Sequence, residues 1–253
     1  GARIKMSDAA GNKKAVDFAS AWSFDFTPPA LVNSQVAPEI AGPSASVSAQ
    51  FDAGEELAFV SSVVLSSDAS GEEEIEMELA GAPVGLHYAY RYDAKKISEK
   101  ITKNYKVIAK KIADKAGNET ESVEIGTVII DTIPPKFTGN PVSANKTRFK
   151  AGEELIVSFT ADEALLSAAA YVDFGSRRVE LTKKSVSQDG LAFEYSHVAA
   201  PGDPEGSGMV VVIITDLAGN NGDEARIGPV IFDFTAPSVM SSDAQPAFAK
   251  LSD

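Results

Sequence analysis

Acidic side chains outnumber basic ones by 36 to 23 over the 253 residues, for a formal net charge of −13. That balance argues against nucleic acid as a partner, because backbone binding needs clustered Lys and Arg, and against docking on an anionic membrane. Cysteine is absent, which removes disulfides and thiolate chemistry, and no run of about 18 apolar residues is present to span a membrane.

With 44% hydrophobic and 23% charged residues the chain reads as globular material, enough for about two ordinary domains. Arg3 to Ser7 reads as a strand entering a turn at Asp8-Ala9-Ala10-Gly11-Asn12. The return strand alternates at Val16, Phe18, Trp22, Phe24 and Phe26, the period of two expected when one face is buried. Leu31 to Val36 is a first strand, which Ser44 to Phe51 resumes after a loop. Ala53-Gly54-Glu55-Glu56-Leu57 is a turn, and Leu57 to Leu65 is the next strand. In Glu72 to Leu79, Ile75, Met77 and Leu79 share one face, with Glu74, Glu76 and Glu78 on the other. Leu86, Tyr88, Tyr90 and Tyr92 alternate in a further strand. A basic segment with Lys95, Lys96, Lys100 and Lys103 leads into a strand from Tyr105 to Ala113, and Thr120 to Ile130 returns from it.

From Pro134 onward a similar series begins. The turn Ala151-Gly152-Glu153-Glu154-Leu155 repeats the one at Ala53. Glu154 to Thr160, Ala168 to Phe174, Arg178 to Leu181 and Leu191 to Ser196 are strand candidates. Met209 to Thr215 is almost unbroken apolar sequence, as expected for a central strand or one covered on both faces.

Two short motifs punctuate this series three times. Asp8 to Asn12, Asp114 to Asn118 and Asp216 to Asn220 all read Asp-x-Ala-Gly-Asn. Each is followed by a strand and then by Asp25-Phe26-Thr27-Pro28-Pro29, Asp131-Thr132-Ile133-Pro134-Pro135 or Asp233-Phe234-Thr235-Ala236-Pro237. The interval is constant, from 8 to 25, from 114 to 131 and from 216 to 233. In the turn, Gly117 supplies a left-handed conformation and Asp114 accepts backbone N–H groups just downstream. In the linker, Pro134 and Pro135 remove two backbone donors, end the ladder and stiffen the chain.

This pairing, at a spacing near 100 residues, resembles the bacterial Ig-like repeats of large surface adhesins. The last copy departs from it with Ala236 in place of the first proline. The expected fold is all-β: tandem Ig-like antiparallel β-sandwiches of Greek-key type with about seven strands each. Residues 1–27 are then the closing strand hairpin of a preceding repeat, 28–133 and 134–235 are Ig-like domains, and 236–253 opens a following repeat.

The resemblance implies an extracellular structural stalk that projects a binding domain. Its partners would be neighbouring Ig-like repeats of the same chain, with host or surface glycan or protein bound through other domains. In such a sandwich the last turn faces the linker from the preceding domain. Asp25 should therefore lie near Asp114, Asn118 and Asp68, and Asp131 near Asp216, Asn220 and the loop Asp162-Glu163. Calcium takes six to eight oxygens, several of them carboxylate, so these residues are the candidate metal ligands. Related stalks and cadherins are often stiffened by calcium near such junctions. A purely structural role accounts for the Asp, Gly and Asn of the turn equally well.

Catalysis finds little support, because the two histidines, His87 and His197, show no metal-ligand spacing and no nucleophile motif accompanies them. Glu74, Glu76 and Glu78 read as a solvated strand face beside Lys106 and Lys110. An adhesive module that binds glycan or protein through loops, or through Tyr88, Tyr90 and Tyr92, is the second functional reading. The shared face with Leu86 favours burial of those tyrosines.

Overall fold

The computed structural model describes residues 3–17, 24–67 and 74–239. The chain divides into two compact units, Gly1–Ile133 and Pro134–Asp253. Unit 1 opens with a separate antiparallel hairpin of β1 (Arg3–Ser7) and β2 (Lys13–Asp17). Phe18 and Trp22, expected to continue its alternation, lie outside the described residues.

Nine strands follow: β3 (Leu31–Ala37), β4 (Ile40–Ala41), β5 (Ser46–Ala53), β6 (Leu57–Ser67), β7 (Ile75–Glu76), β8 (Glu78–Leu79), β9 (His87–Asp93), β10 (Thr102–Asp114) and β11 (Glu119–Asp131). They form two sheets, ordered β3-β5-β9-β8 and β4-β11-β10-β6-β7. Unit 2 repeats the plan with β12 (Phe137–Ala144), β13 (Arg148–Phe149), β14 (Glu154–Ala161), β15 (Leu165–Asp173), β16 (Arg178–Glu180), β17 (Thr182–Val186), β18 (Ala192–Val198), β19 (Gly206–Asp216) and β20 (Ala225–Phe232). Its sheets run β12-β14-β18-β17 and β13-β20-β19-β15-β16, the same order strand for strand. In both units the opening segment changes sheets, and its second strand pairs in parallel with the last. Two sheets with this order, antiparallel apart from that one pairing, make each unit an Ig-like sandwich.

Three expectations need correction. Each sandwich has nine strands where about seven were expected, because β4, β7, β8 and β13 are only two residues long and carry no periodic signal. Ser46–Ala53 does not resume the first strand; it is a separate strand, β5, and runs antiparallel to β3, with Leu31 opposite Ala53. The two Ala-Gly-Glu-Glu-Leu turns are therefore not equivalent. The first joins β5 to β6, and the second joins β13 to β14. The loop matching Gly54-Glu55-Glu56 in unit 2 is Asp162-Glu163-Ala164.

The acidic stretch also differs from its expected single strand. The chain changes sheets at buried Met77, so Glu76 and Glu78 lie on different sheets. Lys110 does pair with Glu74, at 2.5 Å, but it reaches across β6, because β7 does not adjoin β10. Glu78 pairs with Lys96 at 2.5 Å.

Each unit has its own core. In unit 1 fully buried Phe51 stacks on Tyr88 and Tyr90, at 5.3 and 6.1 Å between ring centroids. Tyr90 and Tyr92 belong to this core and Tyr88 is half-buried, as their alternation suggested, although Leu86 stays exposed. In unit 2 Phe159 stacks on Phe193 and Tyr195, whose hydroxyl donates to the Ala168 carbonyl at 2.7 Å. The apolar run lies in β19, a central strand between β15 and β20, with Val210, Val211, Val212 and Ile214 fully buried.

Phe51→Ala removes a ring that the surrounding strands cannot replace. It should cost unit 1 about 3–5 kcal/mol. Calorimetry is expected to show the transition of that unit moving down, while the core around Phe159 keeps its own.

Candidate functional site

The three Asp-x-Ala-Gly-Asn turns adopt one geometry. The glycine is left-handed in each, with φ of 85° at Gly11, 90° at Gly117 and 86° at Gly219. L-residues with a Cβ avoid that conformation, which explains glycine at this position. Asp114 Oδ1 accepts the Asn118 backbone N–H at 2.9 Å, and its Oδ2 accepts the Asn118 side-chain amide at 2.7 Å. Asp8 with Asn12 and Asp216 with Asn220 make the same two bonds, each at 2.8 Å.

The linker aspartates also share one role. Oδ1 of Asp25, Asp131 and Asp233 accepts the backbone N–H two residues later, from Thr27, Ile133 and Thr235, at 3.0, 3.0 and 3.3 Å. Each thus forms an Asx turn, and at Asp131 and Asp233 the turn directs the chain out of β11 and β20. Local hydrogen bonding accounts for the aspartate in both motifs.

The pole of unit 1 nevertheless gathers charge. Carboxylate oxygens of Asp25, Glu55 and Asp114 lie within 4.8 Å of one another. Asp114 sits at the end of β10 and is only 1% exposed. Glu55 comes from the β5–β6 loop. Asp25 is carried in by the segment before β3, which is tied to the pole by backbone contacts. Gly54 N–H donates to the Ala30 carbonyl at 2.9 Å, Thr120 Oγ1 to the Pro29 carbonyl at 3.1 Å, and Asn118 Nδ2 to the Asp25 carbonyl at 3.2 Å.

The two inner carboxyls respond differently. Burial pushes the Asp114 pKa up, but hydrogen bonds from Asn118, Gly117 and Ala116 outweigh it and hold the group below its usual 3.8. Glu55 has no such donors. Burial, then repulsion from Asp25 and Asp114, then a hydrogen bond with Asp25 raise its carboxyl above the usual 4.5.

Of the residues expected at this pole, Asp25, Asp114 and Asn118 come together, while Asp68 lies outside the described residues. Glu55 is the member that sequence reading missed. The second predicted set is divided between the units and is described within each. In unit 1, Asp131 Oδ1 also accepts the Thr102 hydroxyl at 2.7 Å. In unit 2, Asp162 exchanges two bonds with Lys136, taking its N–H at 2.7 Å and donating its own N–H to the Lys136 carbonyl at 3.0 Å. Carboxylate oxygens of Glu163 and Asp216 lie within 4.8 Å of each other, the counterpart of Glu55 and Asp114 in unit 1.

The donor set at the unit 1 pole is all oxygen and mostly anionic. It suits a hard cation such as calcium and offers nothing that favours zinc or copper. The histidines lie elsewhere and are engaged, His87 Nδ1 with Asp52 at 2.8 Å and His197 Nε2 with Asp203 at 2.7 Å.

No family model matches the chain, and no curated protein matches it. Among solved structures it is similar to an I-band fragment of titin, at 12% identity and a TM-score of 0.35, over 91% of this chain and 73% of that one. It is also similar to murine CEACAM1b, at 12% identity and a TM-score of 0.32, over 81% of this chain and all of the other (100%). The assignment to the Ig-like class rests on the strand order above.

Asp114→Asn should lower the melting temperature of unit 1 at pH 7. The Asp114 pKa is depressed in the fold, so its contribution is present above about pH 4 and is lost as pH falls through the lower folded value. Wild type and variant are therefore expected to draw together in thermal melts as pH is lowered below 3.8 and through the folded value. Glu55→Gln, which removes a carboxyl whose pKa is raised, should have the opposite sign in metal-free buffer, with its stabilisation growing as pH rises.

Proposed function

We propose that the chain is a structural extender segment of a secreted or surface-anchored bacterial adhesin or fibre. It would project a binding domain, with calcium stiffening the poles of its Ig-like units. It works by position and rigidity, not by catalysis.

One observation carries this reading. Three carboxylates from separate parts of the sequence, Asp25, Glu55 and Asp114, converge where the incoming segment meets unit 1. Left to themselves they repel, and burial together with the charges of Asp25 and Asp114 raises the Glu55 pKa. A divalent cation held by Asp25, Glu55 and Asp114 would turn that repulsion into a clamp between linker and sandwich. By repeat position Asp131 answers to Asp25, and Asp216 to Asp114. The Pro-Pro linkers and the absence of Gly/Ser-rich connecting sequence further favour a spacer that keeps its length. Burial of Tyr90 and Tyr92 counts against an adhesive platform on their strand.

Calcium titrated into a chelated sample should raise the melting temperature of unit 1 saturably. The gain should approach roughly 2.7 kcal/mol at a hundred times Kd. Asp25→Ala should abolish the gain while leaving the sandwich folded. An unchanged melting temperature at millimolar calcium would remove the metal from this reading.

A further inference from the structure

Within a chain of net charge −13, residues 95–115 carry eight lysines against only Glu99 and Asp114. Most of this stretch is β10, a central strand of the larger sheet in unit 1. Its counterpart β19 carries no lysine or arginine. Lys110 and Lys111 sit side by side on this strand, where period-two alternation would turn one of them inward.

The backbone explains how both reach the outside. Tyr105 lies opposite Val128, nine residues before Asp114, whereas Gly208 lies opposite Val230, eight residues before Asp216. β10 therefore holds one residue more than β19 between the same landmarks. The inward positions slip accordingly, from Ala109 to Ile112, both fully buried. Lys111 absorbs the extra residue with a φ of 44°, a left-handed conformation that costs a non-glycine residue about 1 kcal/mol or more.

A hollow of about 460 Å³ opens on the outer face at this slip, lined by Ser61, Ser62, Lys110, Lys111, Glu121 and Ser122. Ser62 and Ser122 flank Lys110 from the neighbouring strands. Lys110 is engaged by Glu74. Lys111 is exposed and has no carboxylate partner among the described residues.

We propose that this hollow binds an acidic saccharide, a sugar bearing carboxylate or sulfate groups. Lys111 is the anion contact. Ser61, Ser62 and Ser122 both donate to and accept from sugar hydroxyls, and Glu121 accepts from them. The volume is that of a small-ligand site. The mixture of lining groups selects the class. A polyphosphate has no hydroxyl to donate to Glu121 or to the serines, whereas a saccharide has, and single-stranded nucleic acid would look for stacking aromatics, which the lining lacks. This site is separate from the acidic pole and does not depend on calcium there.

The test is calorimetric titration of the full 253-residue chain with a heparin-derived tetrasaccharide at low salt, with maltotetraose and inorganic polyphosphate as comparison probes. The expected result is saturable binding of the acidic tetrasaccharide and none of the neutral one. Lys111→Gly should weaken binding about tenfold, the loss of one charge-assisted contact, and Ser62→Ala about threefold. Glycine suits the φ at this position, so the melting temperature of Lys111→Gly should not fall, which separates a lost contact from a lost fold. Three results would each overturn the proposal: no binding at millimolar tetrasaccharide, undiminished binding by Lys111→Gly, or polyphosphate binding as tightly as the saccharide.

Discussion

Both units depend on a carboxylate at the bend between their last two strands. Asp114 is almost wholly withdrawn from water, which is costly for an ion unless its oxygens are hydrogen-bonded. Asn118 meets that need with its backbone N–H and its side-chain amide, and left-handed Gly117 lets the chain turn tightly enough for both to point inward. The bend aligns β10 with β11, and these two strands place Val107, Val128 and Ile130 over the core. Asp216, Asn220 and Gly219 do the same for β19 and β20.

A carboxylate held in this way stays ionised, and that sets the electrostatics of the pole. Asp114 cannot easily take up a proton to relieve crowding, so the burden falls on Glu55, whose surroundings all raise its pKa. Along the flank of the same unit, one extra residue in β10 turns two adjacent lysines outward, of which Lys110 is paired with Glu74. The net charge of −13 thus conceals an acidic end and an exposed lysine, Lys111, within one unit. The first suits a hard cation, the second an anionic ligand.

Features whose physics is local were legible in the residues themselves. The glycine, aspartate and asparagine of the turn act within five residues of one another, so their pattern implied their geometry. Burial of Tyr90 and Tyr92 followed from alternation, and the central place of β19 from its unbroken apolar run. Strand count was less legible, since a two-residue strand such as β4 exists only through its pairing with β11. The repeated Ala-Gly-Glu-Glu-Leu misled for a related reason. Those residues suit any exposed turn, and nothing in them says which strands the turn connects. Glu55 went unrecognised as a result, although the matching loop at Asp162-Glu163 was singled out.

By itself, the sequence determined the repeated motifs, the turns and the all-β class, because each follows from spacing or from hydrogen bonds between near neighbours. Tertiary structure alone decided that Glu55 joins Asp25 and Asp114 and that Lys111 lies beside Ser61, Ser62 and Glu121. Asp25, Glu55 and Asp114 are far apart along the chain, as are Ser61 and Lys111, and only the pairing of strands into sheets brings them together, with the one-residue slip in β10 turning Lys111 outward.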